Sequence, residues 1–381
     1  MLLIQQHLKN KVETPETLQE RFGIFSKLSS DGKLRIFDYD QIESSKFKDH
    51  RLVKEARGLV LTEGTWDIVA KSFNRFFNYK ENTDTEYFDW KNFSSTEKED
   101  GSLFRISVID NELRGFTRFS FADQPISDLM EKTWSELAFS CLNDEQNSFI
   151  KCYSKYTFVF EFCSPYTQVV KFHLEPKLVM LGLFDNQTGK EVSPNNEVYK
   201  QAKQIFTWVK EYNFKSIDEI IQYLDNLYKN KSTDEGFVLK DNNGIRLKIK
   251  NKYYLQLHRL TNNNDIKNLK SLIPIILNGE TDEVETYFPL LKDSISIIKQ
   301  NIENDLKVLK EIYENVIIKE SLKDFALYLT KENFTPWSSL FFQLRKDFGN
   351  SFTFTQVENL FMKSEDYIIK IYKSRNILKE L

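Results

Sequence analysis

Ten of the twelve glycines in this chain of 381 residues lie at or before Gly244, and only Gly279 and Gly349 lie beyond it. Glycine supplies the backbone conformations that tight turns need, so turn-rich, sheet-forming chain belongs to the first two thirds. The character changes near residue 255. Before it, short β-like runs such as FVFEF at 158–162 and LVMLGLF at 178–184 alternate with helical patterns, among them an amphipathic stretch around Ile126–Leu142. After it, Leu291, Ile295, Ile298, Ile302, Leu309, Ile312 and Val316 recur at helical spacing, which predicts one face of a long helix. The expectation is an α+β domain over 1–260 and an all-helical domain over 261–381, with the polar TNNND at 261–265 as the boundary. No internal repeat is present.

A hydrophobic content of 40% fills real cores at this length. No run reaches the roughly 18 consecutive apolar residues of a membrane span, and MLLIQQHLKNK is too short in its apolar part for a signal peptide. An intracellular, cytoplasmic protein is expected. Cys141, Cys152 and Cys163, spaced eleven apart, fit neither a metal or redox pair nor a disulfide framework, and read as reduced, buried thiols. The formal charge of −3 excludes a generally basic nucleic-acid binder, so any polyanion must be held by a local cluster.

The chemistry begins at KEDGS, Lys98 to Ser102, ahead of a period-two run that turns at Asp110-Asn111 and predicts a hairpin with Lys98 at the entrance to a strand. Lysine is nucleophilic only when neutral, and at a reference pKa of about 10.4 on the order of one in a thousand is neutral near pH 7. Correcting that costs about 4 kcal/mol, which burial and neighbouring cations can supply. Gly101 beside it would permit a phosphate to approach the backbone closely.

Other residues acquire meaning in this company. Arg57, in EARGLVLTEG at 55–64, offers a planar donor fork ahead of a strand, although a hairpin-base ion pair explains it equally. KSFNRFFNYKEN at 71–82 interleaves Lys71, Arg75 and Lys80 with aromatics, as a phosphate and base surface does, or as an apolar strand edge with solvated cations does. Glu161 interrupts the apolar run TFVFEFCSP and faces opposite to Phe160 and Phe162. An ionised carboxylate there needs a partner such as a ribose hydroxyl or a metal-bound water, unless it simply points outward. DEGFVLKDNNGIRLKIK at 234–250 reads as a second hairpin, with Glu235-Gly236 opening one strand and Lys248 and Lys250 on one face of the other. Two like charges side by side want a polyanion between them or water around them.

The ordered set, an arginine-glycine, a K-x-D-G lysine, a glutamate in an apolar strand, an E-G and a K-x-K, resembles the covalent nucleotidyltransferase superfamily of ligases and capping enzymes. KEDGS itself, the ARG-plus-apolar run, R-F-F-N, and DEGFVLKD followed by RLKIK and LQLH are similar to the RNA ligase 1 family, whose type member comes from a T-even phage. The resemblance spans about residues 30–260. It implies a nucleotidyltransferase domain of antiparallel sheets with helices, and an ATP-dependent RNA ligase that joins 5′-phosphate and 3′-hydroxyl ends. Lys98 would attack the α-phosphorus of ATP to form a lysyl-adenylate, with Arg57, Arg75, Lys248 and Lys250 on the triphosphate. Glu161 would accept from the ribose, Arg118 would lie close to the nucleotide, and Glu235 would help hold Mg²⁺, or Mn²⁺ in its place. The partner implied is single-stranded or nicked-loop RNA, with tRNA cut in the anticodon loop as one substrate.

Two departures from the family pattern stand out. Arg75 occupies a position where lysine is expected, and Phe119 follows Arg118 where glycine is common. DNA ligases and capping enzymes append a β-barrel, whereas this tail reads as helices expected to select the RNA, which favours RNA ligation. Two alternatives stay open: a noncatalytic RNA-binding relative, and a GTP-dependent capping-type guanylyltransferase.

Overall fold

The computed structural model describes residues 1–40, 43–127, 130–261, 272–277, 281, 291–317, 321–330, 334–375 and 377. The chain forms two compact units, Met1–Leu255 and Gln256–Leu381, and the division falls within the helix Lys252–Thr261. Residues 262–265 of the polar TNNND stretch lie outside the described residues.

The first unit is α+β and carries three larger sheets. One orders its strands Ile24–Leu28, Leu34–Tyr39, Leu59–Thr62 and Ile68–Ala70, all antiparallel. A second orders Lys177–Asp185, Tyr156–Cys163, Ser102–Ile109 and Glu112–Phe116, also antiparallel. The third is five-stranded: Glu211–Tyr212, Phe93–Glu97, Gly236–Asp241, Arg246–Lys250 and, in parallel, Phe77–Asn78. Both expected hairpins form. Asp110 and Asn111 take φ of 52° and 62°, the left-handed pair of a two-residue turn.

Side-chain alternation gives each of the last two sheets one apolar face. Phe104, Ile106, Phe158, Phe160, Phe162 and Met180 enter one core, while Phe237, Leu239 and Leu247 enter another with Ile220 and Leu224 of the helix Ile217–Lys229. The opposite faces are left to line something else.

The stretch around Ile126–Leu142 is not one helix. Pro125–Ser127 and Met130–Thr133 pair as a small antiparallel ribbon, followed by helices Trp134–Phe139 and Asp144–Cys152. Thr133 and Asn143 each cap a helix, with reciprocal bonds from Glu136 and Gln146, so two start signals cut the periodic run. Of the thiols only Cys163 is buried; Cys141 is half-buried and Cys152 exposed.

In the second unit the helix Lys292–Val316 buries Ile295, Ile298, Ile302, Leu309, Ile312 and Val316, and Leu291 is buried at its N-cap. Its described residues form helices and no strand, so they supply no part of a β-barrel. Among the described residues no helix is long and apolar enough to cross a membrane.

Candidate active site

The two free sheet faces line a cavity of about 890 Å³ in the first unit. Leu103, Glu161 and Leu181 contribute from one sheet, and Thr96, Val238, Arg246, Lys248 and Lys250 from the other. Glu161 is thus turned into the cavity by the same alternation that sends Phe160 and Phe162 into the core. Arg57, Lys98 and Arg118 complete the set of predicted residues that line it.

Lys98 follows directly on the strand Phe93–Glu97, four residues before Ser102 opens the next, and its N–H donates to Gly236 O at 2.8 Å. Its Nζ lies 2.6 Å from Glu235 Oε2, and Lys250 Nζ lies 2.6 Å from Oε1 of the same carboxylate. Burial pushes the lysine towards neutrality, but Glu235, Glu161 and Asp100 outweigh it and hold Lys98 above the ordinary lysine range. Neighbouring cations therefore do not deprotonate Lys98 in the resting molecule. Glu235, only 4% exposed, is held below the usual carboxylate range because Lys98 and Lys250 overcome its desolvation.

Two other cations have no such partner. Arg57 Cζ and Lys248 Nζ each lie 5.7 Å from the centre of the Phe76 ring, and neither forms an ion pair among the described residues. Burial, then Arg118, lowers the Arg57 pKa; burial, then Lys250 and Lys98, brings Lys248 down to about 8. Glu161 is pushed up to about 7, chiefly by burial. The hairpin-base ion pair considered for Arg57 does not form among the described residues, where its Nη1 donates to Phe73 O instead.

Arg118 pairs with the buried Asp38, Nε to Oδ2 at 2.6 Å, and lies 4.9 Å from the Tyr39 ring. Phe119 packs edge-on against Phe25 with centroids 4.3 Å apart, so a side chain fills the place where glycine was expected. Arg75 does not line the cavity. It stacks 4.2 Å from the Tyr39 ring and donates to Ser44 Oγ at 3.1 Å, one layer behind. The segment 71–82 is not one phosphate surface: Lys71, Phe73 and Phe77 are buried, Phe76 lines the cavity and Lys80 is exposed. The close approach at Gly101 is to protein, since a Cβ there would stand 2.6 Å from Phe162 O.

A family profile described as RNA ligase matches residues 55–254, more than half of the chain. The chain belongs to the RNA ligase family. It is similar to a proposed bifunctional polynucleotide kinase/RNA ligase of Autographa californica nuclear polyhedrosis virus, 30% identical over 96% of this chain and 52% of that protein. It therefore spans about half the length of that relative. An RNA ligase of Rhodothermus phage RM378 is 24% identical over 87% of this chain and 90% of its own. A solved archaeal ATP-dependent RNA ligase superposes with a TM-score of 0.47 at 14% identity, covering 69% of this chain and 64% of that one.

In this RNA ligase family member several groups escaped the sequence reading. Asp38 and Tyr39 organise the arginines from a strand end whose alternation gave no hint of them. Asp100 accepts from the Val170 and Lys171 amides and, at 2.8 Å, from the Tyr254 hydroxyl, so the residue two after Lys98 fastens the segment around 170. Glu191 accepts from Arg246 at 2.6 Å and Lys240 at 2.8 Å along the cavity wall. Among the described residues no three His, Cys, Asp or Glu side chains converge as metal ligands. The buried carboxylate of Glu235 is a hard oxygen donor of the kind a divalent ion such as Mg²⁺ takes.

Proposed function

We propose that this chain is an ATP-dependent RNA ligase working through a lysyl-AMP intermediate on Lys98. The observation that carries the reading is the joint lining of one cavity by Lys98, Lys250, Arg57 and Lys248, with the buried Glu235 paired to the first two. Attack needs a neutral amine, so the ion pair of Nζ with Glu235 Oε2 at 2.6 Å must first open and Nζ release its proton to water. The amine then forms a P–N bond to the α-phosphorus while the α–β P–O bond breaks and pyrophosphate leaves. Arg57, Lys248 and Lys250 neutralise the charge that develops on the phosphates, with Arg75 and Arg118 supporting from around Tyr39. Glu161 accepts a hydrogen bond from the ribose. Glu235 would hold Mg²⁺ or Mn²⁺, which supplies charge neutralisation on the leaving group.

An RNA 5′-phosphate oxygen next attacks the adenylate, breaking the P–N bond and restoring Lys98. A 3′-hydroxyl attacks the RNA phosphorus and AMP departs, closing the phosphodiester. The helical unit would select the RNA, single-stranded or a nicked loop such as a cut tRNA, in the cytoplasm of the cell or host.

The test is incubation with Mg²⁺ and α-³²P-labelled ATP or GTP, with Lys98→Ala as control. A covalent label from ATP alone, absent in the variant, is expected, followed by sealing of a 5′-phosphorylated RNA. A GTP label would indicate a guanylyltransferase, and salt-sensitive RNA binding without label a noncatalytic relative.

A further inference from the structure

Arg105 is a fully buried arginine that the chemistry above does not use. In the strand Ser102–Ile109 it alternates with Phe104 and Ile106, which enter the core. It therefore stands on the opposite face, the one bearing Leu103 and Glu161, which are paired to each other across the strands. Its Nη2 donates to Thr117 O, while Nε and Nη1 meet no acceptor among the described residues.

The neighbours are unusual for such a group. A Cβ at Gly58 would lie 3.2 Å from Arg105 Cζ and Nη1 and 3.0 Å from Arg118 O, so Gly58, held at φ 63°, lets the Arg57-Gly58 turn settle on the buried guanidinium. Arg57 disfavours the charge on Arg105, and the carboxylate set against Arg105, Asp38, is already paired with Arg118. A buried, poorly paired cation costs free energy, and a strand position of this kind would be filled by an apolar side chain if packing were its purpose. Negative charge entering the cavity beside Arg57 relieves this excess of positive charge.

We propose that Arg105 is a positioning residue for the triphosphate: it touches no substrate, and from beneath the Arg57-Gly58 turn it maintains the uncompensated positive potential that draws polyphosphate to Arg57. The proposal rests on the nucleotide-binding reading of the cavity. It predicts an effect graded by ligand charge, which a merely structural arginine would not produce.

The experiment is titration calorimetry of the full chain, without divalent metal so that no turnover occurs, using ATP and adenosine as separate probes. Wild type is compared with Arg105→Met and Arg105→Lys. In Arg105→Met the Kd for ATP should rise at least about tenfold and that for adenosine change by less than about twofold. Arg105→Lys, which keeps the charge, should recover most of the ATP affinity. The melting temperature of Arg105→Met should equal or exceed that of wild type. Unchanged ATP affinity in Arg105→Met would overturn the proposal, as would equal losses for ATP and adenosine or a failure of that variant to fold. A wild type that binds ATP but acquires no covalent label would sink the ligase reading while leaving this comparison intact.

Discussion

Lys98 is held as an ammonium by Glu235 at 2.6 Å, and this pairing sets what substitution should do. Lys98→Ala removes the nucleophile and leaves Glu235 still paired with Lys250. Covalent labelling from ATP should fall to background while the melting temperature stays within a few degrees of wild type, about 1 kcal/mol or less; labelling of the variant would move the nucleophile elsewhere. Lys248 gives a pH signature. Its pKa, lowered to about 8, means that the ammonium is present below that pH and lost as pH rises through it. Apparent ATP affinity should therefore weaken above pH 8, and Lys248→Arg, charged throughout, should retain roughly tenfold more affinity at pH 9.5. Parallel pH profiles for the two proteins would place the phosphate contact on another residue. Glu161, raised to about 7, protonates as pH falls through that value and should set the acidic limb of the same profile.

At the scale of elements, the hairpin Gly236–Asp241 and Arg246–Lys250 delivers Glu235, Lys248 and Lys250 to one place, and its register depends on Gly236. That residue has φ 137°, and a Cβ there would stand 2.1 Å from Ile249 O, so any side chain collides with the partner strand. Gly236→Ala should cost on the order of 3 kcal/mol, read by chemical denaturation, and should shift Lys250 away from Glu235. A loss below about 0.5 kcal/mol would show that the strands relax without penalty. The segment around residue 170 has a different dependence. Val170 and Lys171 donate to Asp100 Oδ2 at 2.8 and 2.5 Å, so Asp100→Ala should raise hydrogen exchange at those amides while the strands Ser102–Ile109 and Tyr156–Cys163 keep their protection.

For the whole molecule, the two compact units suggest a division of labour that truncation tests. The cavity and every candidate residue around Lys98 lie within Met1–Leu255, with its own buried clusters. A chain ending at Thr261 should still take up label from ATP but seal RNA poorly, with KM for RNA raised about tenfold or more. Full sealing by the truncated chain would remove the helical unit from substrate selection.

The sequence by itself determined the α+β character, both hairpins and the long helix, because alternation, turn residues and helical spacing are local signals. It also singled out Glu161, Lys248 and Lys250, since a charge in an apolar strand or two on one strand face are conspicuous in one dimension, and Lys98 and Glu235 through the ordered motifs that resemble the family. Tertiary structure alone decided how those charges pair. Asp38 meets Arg118 across 80 residues and Lys98 meets Glu235 across 137, so no local pattern announces either. Arg75 looked equivalent to Arg57, yet Tyr39 and Ser44 hold it a layer behind. Lys71 looked like surface charge and is buried, donating to Ser72 O at 2.6 Å. The free energy of a charge is set by what the fold brings within a few ångströms of it, and the order of residues along the chain does not contain that distance.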